Sequence, residues 1–286
     1  MGPLLVNGLS KPATDVTHEK HKSRASPITV RCGTSLTQVT ETLQLTGERT
    51  APGIWHENYW FARHDAAYRW ITANLPIDPT GRVLDAGCGE GYGAEQLRRA
   101  GAASVTGLDY EHTTLRHVRR AYPQVNVVRG NLVQTAFATG TFDLVTSLQV
   151  IEHLWEQPRF ITECARILEP TGTLVLSTPN RLTFPSGNWY HTRELTPAEF
   201  AELLEPHFEI TQALGVHHGR RLTGWEAQYG SCVDAQLAAE HDQWDADLAE
   251  LVASTKHEDF EIRPGDLDES LDLILVARPK DARSVR

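Results

Sequence analysis

Several groups of residues in this chain have the types and spacing to do chemistry. In Asp85-Ala86-Gly87-Cys88-Gly89-Glu90-Gly91-Tyr92-Gly93 an acid is followed by glycine at every second position, so the backbone can lie flat against a ligand. A dinucleotide fingerprint would place its third glycine where Tyr92 stands. Loops of that kind aim a helix N-terminus at a pyrophosphate, whereas an acid-preceded loop suits a cationic or polyhydroxylated ligand. Asp109 follows at about the twenty-residue spacing at which a carboxylate grips ribose hydroxyls. The two acids together describe a nucleoside site with no phosphate clamp. Downstream, Gln149-Val150-Ile151-Glu152-His153 brings a carboxyl and an imidazole side by side, and an imidazole with a pKa near 6.5 accepts a proton at neutral pH. Asn188-Trp189-Tyr190-His191-Thr192-Arg193-Glu194 and His217-His218 add further polar and ring groups.

The elements that must position these residues alternate. Apolar runs near 82–86, 104–109, 125–129, 142–148 and 172–178 read as strands, and the stretches near 94–100, 111–121 and 158–168 as helices. Alternation at this pitch predicts a parallel sheet covered by helices on both faces, with ligands at the carboxyl ends of the strands. Gly87, Asp109, Asn131 and Gln149 fall at such ends. A helix runs to Leu75 before the first strand, with Ala66, Ala67, Trp70, Ile71 and Leu75 as its inward stripe, and Pro76 and Pro79 close it. A helix over 196–204, with Thr196 and Glu199 spaced as a capping box, leads to a strand over 208–214, and 270–277 supplies a final strand. The roughly fifty residues between those last strands are far more than a hairpin loop needs. Helices are expected there at 230–240 and 242–253, the second with a Trp244, Leu248, Leu251 stripe. Residues 215–268 thus read as a helical insertion, a lid over the acceptor or a dimer contact.

Composition narrows the partners. The 286 residues carry a formal net charge of -10 and are 40% hydrophobic, enough for a sizeable core. That charge argues against nucleic acid or an anionic membrane, whose binding rests on Lys and Arg. No apolar run approaches a membrane span and no signal-peptide core is evident, so a cytoplasmic protein with a small-molecule partner is expected. Cys32, Cys88, Cys164 and Cys232 are scattered without a C-x-x-C pair, as free thiols in a reducing compartment would be. Residues 1–44 lack periodicity and read as a tail, residues 45–279 as the folded domain, and residues 280–286 as a second tail.

Asp85-Ala-Gly-Cys-Gly-Glu-Gly91 followed by Asp109-Tyr110 resembles the first two motifs of class I S-adenosylmethionine (SAM) methyltransferases. The resemblance implies a Rossmann-like fold with a seven-stranded, mostly parallel sheet and SAM as cofactor. It places Gly87 and Gly89 under the methionine part, Asp85 beside it, Asp109 and Tyr110 at the ribose, and Asn131 and Leu132 at the adenine, with Gln149 bordering the site. Taken with Leu45-Thr-Gly-Glu-Arg-Thr50, Glu57-Asn-Tyr-Trp-Phe61, Ser177-Thr-Pro-Asn-Arg181, His191-Thr-Arg-Glu-Leu195, Asp234-Ala-Gln236 and Ser270-Leu-Asp-Leu273, the chain from about Leu45 to Pro279 is similar to actinobacterial sugar 1-O-methyltransferases of methylmannose polysaccharide synthesis. That similarity implies methylation of the anomeric hydroxyl of a short 3-O-methylated mannoside, with a divalent metal such as Mg²⁺ assisting. His153 and His218 are the positions carried over as base or metal ligand. The N-terminal tail and the Trp189-Tyr190 segment depart from the family pattern, and the second borders the acceptor loop.

Methyl transfer to a hydroxyl needs collinear donor and acceptor atoms and a base. His153, with Glu152, is placed to be that base, or else caps its helix and packs on the sheet. Tyr59 and Arg63, in the aromatic-polar run from His56 to His64, suit a nucleoside or sugar face, or cover the sheet edge. Tyr190, His191, Arg193 and Glu194 share the cofactor's rim as acceptor-binding candidates. A quinone or natural-product acceptor, or a SAM-binding protein without turnover, fits the same motifs.

Overall fold

A computed structural model describes residues 49–184 and 188–280. The expected tail at 1–44 lies outside the described residues, as do all but Lys280 of the expected tail at 280–286. Helix α1 (Asn58–Asn74) precedes the alternating part: β1 (Arg82–Ala86), α2 (Tyr92–Arg99), β2 (Ser104–Asp109), α3 (His112–Ala121), β3 (Asn126–Arg129), β4 (Phe142–Leu148), α4 (Gln157–Ile167) and β5 (Leu168–Pro179). There follow α5 (Pro197–Leu204), β6 (Phe208–His218), α6 (Arg220–Tyr229), α7 (Cys232–Ala238), α8 (Ala246–Ser254), β7 (Phe260–Arg263) and β8 (Asp272–Pro279). The strands form one sheet in the order β3-β2-β1-β4-β5-β8-β6-β7. The pairings among β1 to β5 are parallel; those of β8 with β5 and β6, and of β7 with β6, are antiparallel.

The period-2 geometry of a strand sends neighbouring residues to opposite faces. Val83 joins a core with α1, α2 and the insertion, whereas Leu84 joins one with Phe160 of α4 and Phe200 of α5. Burying both faces is what the near-continuous apolar runs of a parallel sheet require. Thr196 caps α5 through the capping box expected from sequence.

Among the described residues the sheet has eight strands, not seven. The extra strand, β7, lies within the insertion and pairs from Gly215↔Arg263 to His218↔Phe260; its four residues, Phe-Glu-Ile-Arg, are too few to display a period. The insertion is therefore mixed rather than purely helical. Helix α6 is not expected from sequence, because Gly224 sits in its middle and only Leu222 on it is buried, so no apolar stripe marks it. The expected helix over 230–240 shortens to α7, since Gly230 is left-handed at φ 90° and Ser231 caps the new start. That over 242–253 begins only after the Asp245 cap of α8. In α1 the buried stripe includes Tyr59, Arg63, Asp65 and Tyr68, while Trp70 and Leu75 are half-buried. The helix therefore buries polar groups that need partners, and the site supplies them.

Candidate active site

A cavity of about 570 Å³ opens at the carboxyl ends of β1 and β4. Its floor is the loop after β1. Gly87 sits at φ 82° and a Cβ there would lie 2.5 Å from Val150 Cγ2, while Gly89, at φ 49°, faces open space. The first close approach has a testable cost. Gly87→Ala combines left-handed strain of about 1–2 kcal/mol with overpacking of about 1–3 kcal/mol, so a loss of about 2–5 kcal/mol in unfolding free energy is expected by chemical denaturation.

Beneath the loop, Asp85 is fully buried, and its Oδ1 accepts from Tyr68 Oη at 3.0 Å and Thr146 Oγ1 at 2.9 Å. Its Oδ2 has no partner among the described residues. Burial pushes the carboxyl up to about 6, which leaves it mainly ionised at neutral pH. An unsatisfied buried carboxylate below a glycine loop with an open face fits a ligand bearing a cation and donor groups, as the methionine part of SAM does.

Arg63 reaches the cavity from α1. Its Nε donates to Asp272 Oδ2 at 2.6 Å and its second terminal nitrogen to the Leu271 carbonyl at 2.8 Å and to Asp272 Oδ1. The buried pair clamps α1 to β8 and holds the guanidinium above its already high pKa against the desolvation that opposes it. His64, beside it, is pushed down to about 4 by burial and is therefore neutral.

Glu152 and His153 follow β4. The Glu152 carboxyl is buried, accepts from Thr178 Oγ1 at 3.1 Å, and is raised to about 8 by desolvation. At neutral pH it keeps its proton, which suits a positioning acid better than a base. Its main-chain carbonyl accepts from the Thr192 and Arg193 amides at 2.7 and 3.2 Å, so the 188–195 loop is tied to it. His153 Nδ1 donates to the Tyr190 carbonyl at 2.9 Å, which makes Nε2 the lone-pair nitrogen of the neutral ring. His191 packs edge-on to it at 5.0 Å and is itself oriented by Glu194 at 2.7 Å and the Asn188 amide at 3.0 Å.

Not every expected residue gathers here. Gly87, Gly89, Gln149, Arg63, Glu152, His153 and His191 line the cavity. Among the described residues its walls exclude Asp109, Tyr110, Asn131 and Leu132, all at the ends of β2 and β3, and also Asp85, which lies buried beneath the glycine loop. Asp109 accepts instead from the Gly89 and Glu111 amides at 3.1 and 2.9 Å, bracing the glycine loop from behind, and Tyr110 is 65% exposed. Tyr190 contributes its carbonyl, Glu194 orients His191, and Arg193 pairs with Glu199 on the surface. Tyr59, in the first turn of α1, is buried on the inner face of that helix, where its hydroxyl bonds His218. His218 accordingly groups with Glu226 and Cys232, not with His153. Residues not singled out from sequence also reach the cavity: Asp272, Tyr68, Phe184, and Leu237 from α7. Leu237 gives the insertion a part in the wall, while Asn58 ties α1 to the end of α8 through three carbonyls at 2.7–3.2 Å.

Residues 84–176, from β1 into β5, match the Methyltransferase domain family. A protein of Mycolicibacterium smegmatis named a probable S-adenosylmethionine-dependent methyltransferase is 45% identical over 248 residues, covering 82% of this chain and 95% of that one. The chain belongs to the SAM-dependent methyltransferases. A ubiquinone biosynthesis O-methyltransferase of Xanthomonas oryzae is 35% identical over 52% of this chain and 59% of its own. Among solved structures, a SAM-dependent methyltransferase of Thermotoga maritima superposes with TM-score 0.54 at 17% identity, over 79% of this chain and 92% of that one. As a SAM-dependent methyltransferase the protein is an enzyme with SAM as its cofactor, and among the described residues no helix is long and apolar enough to cross a membrane.

Proposed function

We propose that this methyltransferase is an O-methyltransferase acting on a sugar hydroxyl, with the anomeric 1-OH of a short 3-O-methylated mannoside as its acceptor. The observation that carries the oxygen acceptor is His153, an imidazole held in one tautomer by the Tyr190 carbonyl at the wall of the cofactor cavity. A saccharide suits that cavity, whose walls mix the Trp60 ring with Glu57, Asn188 and Gln149: aromatic faces stack on pyranose rings while polar tips bond hydroxyls. The anomeric hydroxyl is the most acidic on a sugar, so a single imidazole is an adequate base.

When bound, SAM supplies a methyl group on a sulfonium. The protein's residues do the rest. Glu57, Trp60 and Asn188 hold the acceptor so that its oxygen lies in line with the methyl carbon and the sulfur. His153 Nε2 would take the hydroxyl proton as the acceptor oxygen accepts the methyl group that bound SAM would supply, with S-adenosylhomocysteine as the leaving product. The Tyr190 carbonyl, facing Nδ1–H, stabilises the resulting imidazolium. Phe184 and Leu237 add apolar surface to the cavity wall.

The Mg²⁺ expectation fits poorly. The group within reach is Glu152, His153 and His191, two imidazoles and a carboxyl that keeps its proton, whereas Mg²⁺ takes oxygen ligands. No step above passes through a metal.

Release of S-adenosylhomocysteine by the purified protein distinguishes the acceptors. Turnover with 3-O-methylated mannosides, without a requirement for added Mg²⁺, is the expected result. Turnover confined to phenols or quinols would replace the sugar reading by one in line with the Xanthomonas relative.

A further inference from the structure

Away from the cavity, four elements converge on His218. Tyr59 comes from α1, His218 from the end of β6, Glu226 from α6 and Cys232 from the start of α7. His218 Nδ1 lies 2.9 Å from Glu226 Oε2, and Nε2 lies 2.6 Å from Tyr59 Oη and 3.9 Å from Cys232 Sγ. Glu226 Oε1 also accepts from the Cys232 amide at 3.1 Å, which fixes the carboxylate between imidazole and thiol. With Nδ1–H donating to Glu226, the Nε2 lone pair is directed at the phenol and the thiol.

We propose that His218 Nε2, Cys232 Sγ and Tyr59 Oη form a binding site for one Zn²⁺-class ion, with Glu226 as the carboxylate that orients the histidine. Zinc–nitrogen and zinc–sulfur bonds of about 2.0–2.1 and 2.3 Å sum to about 4.3 Å, which exceeds the 3.9 Å separation, so one ion can touch both atoms. An imidazole whose other nitrogen donates to a carboxylate is the usual arrangement behind a zinc-bound histidine. The thiol, imidazole and phenol select a borderline-soft ion over Mg²⁺ or Ca²⁺. Cys232 and Tyr59 are fully buried and His218 nearly so, while Glu226 is partly exposed, which gives the ion a path from solvent.

Binding exchanges protons for metal. Burial pushes the Cys232 thiol up to about 12 and the Tyr59 phenol well above its usual range, so neither ionises at neutral pH without the ion. Coordination forms the metal–sulfur and metal–oxygen bonds as the thiol and phenol protons leave to solvent, the departing phenol proton giving up the Nε2 lone pair to the ion. The structural consequence lies one turn further along α7, where Leu237 lines the methyl-transfer cavity. An ion joining α1, β6 and α7 would fix that wall.

The test is Co²⁺ titration of the full-length, metal-stripped protein, read by absorption, with Zn²⁺ as competitor. Expected are one equivalent bound, a thiolate-to-cobalt charge-transfer band in the near ultraviolet, loss of the band on adding Zn²⁺, and a rise in melting temperature with Zn²⁺. Cys232→Ser and His218→Gln should each remove the band while circular dichroism and SAM binding stay unchanged. Glu226→Gln should keep it with affinity weakened about 10–100-fold. No band in the wild-type protein overturns the proposal. So does a band that survives Cys232→Ser, or cobalt bound without a thiolate band and lost in His191→Ala, which would place the ion beside His153. If Cys232→Ser does not fold, retention of the full-strength band in a folded His218→Gln protein is equally decisive against it.

Discussion

His153→Ala is expected to lower kcat for methyl transfer by about 10²–10⁴-fold, the contribution typical of a positioned general base, while SAM affinity stays unchanged. The separation of the two readouts follows from where the residue sits. Its Nδ1 is committed to the Tyr190 carbonyl at 2.9 Å and its ring packs edge-on to His191 at 5.0 Å, on the acceptor side of the cavity. The Gly87 to Gly89 loop, with Asp85 buried beneath it, forms the other side. His153→Asn preserves a hydrogen-bonding side chain but no proton acceptor of suitable basicity, so it should lose nearly as much turnover as alanine. Single-turnover rates and SAM titration by calorimetry check both. A histidine that only caps its helix would lower melting temperature in both variants and leave kcat near wild type, and that result would remove His153 from the reaction.

The parallel half of the fold was legible because each strand there is an apolar run bounded by helical stretches, and because the acid-glycine loop has its meaning locally. The second half was legible only in outline. β6 continues to His218 rather than stopping at 214, and those extra residues carry His218 under α1 to Tyr59. Two residues expected near the reaction therefore bond each other elsewhere, a long-range pairing of which neither neighbourhood gives a sign. Asp272 is different. A lone acid in the apolar run Leu271-Asp272-Leu273 must find a buried partner, and that signal was available before the Arg63 ion pair was seen. Asp109 shows the converse: strand-end position was read correctly, yet its carboxylate is spent on the Gly89 and Glu111 amides. Spacing gives a residue's place on the sheet, and competition for hydrogen bonds decides its role.

The protonated Glu152 makes stability fall with pH in a window of its own. The carboxyl titrates at 4.5 in its ordinary state and at about 8 in the folded protein. Below 4.5 both states carry the proton. Between the two values only the unfolded chain releases it, so the unfolded state binds fewer protons and stability declines as pH rises, by up to about 1.4 kcal/mol per pH unit. Above about 8 both states are ionised and the decline stops. Asp85 acts in the same direction but only up to about 6, so the part between pH 6 and 8 belongs to Glu152 among the carboxyls raised by burial. Glu152→Gln, which keeps the shape and the Thr178 contact without a titratable group, is expected to flatten the melting-temperature profile between pH 6 and 8 and to be the more stable protein at pH 8. Parallel profiles for the two proteins would mean that Glu152 is ionised in the folded state at neutral pH. The acid tied to the 188–195 loop would then present a charge beside His153 and raise its basicity, and the dependence of kcat on pH would shift upward rather than stay set by the imidazole alone.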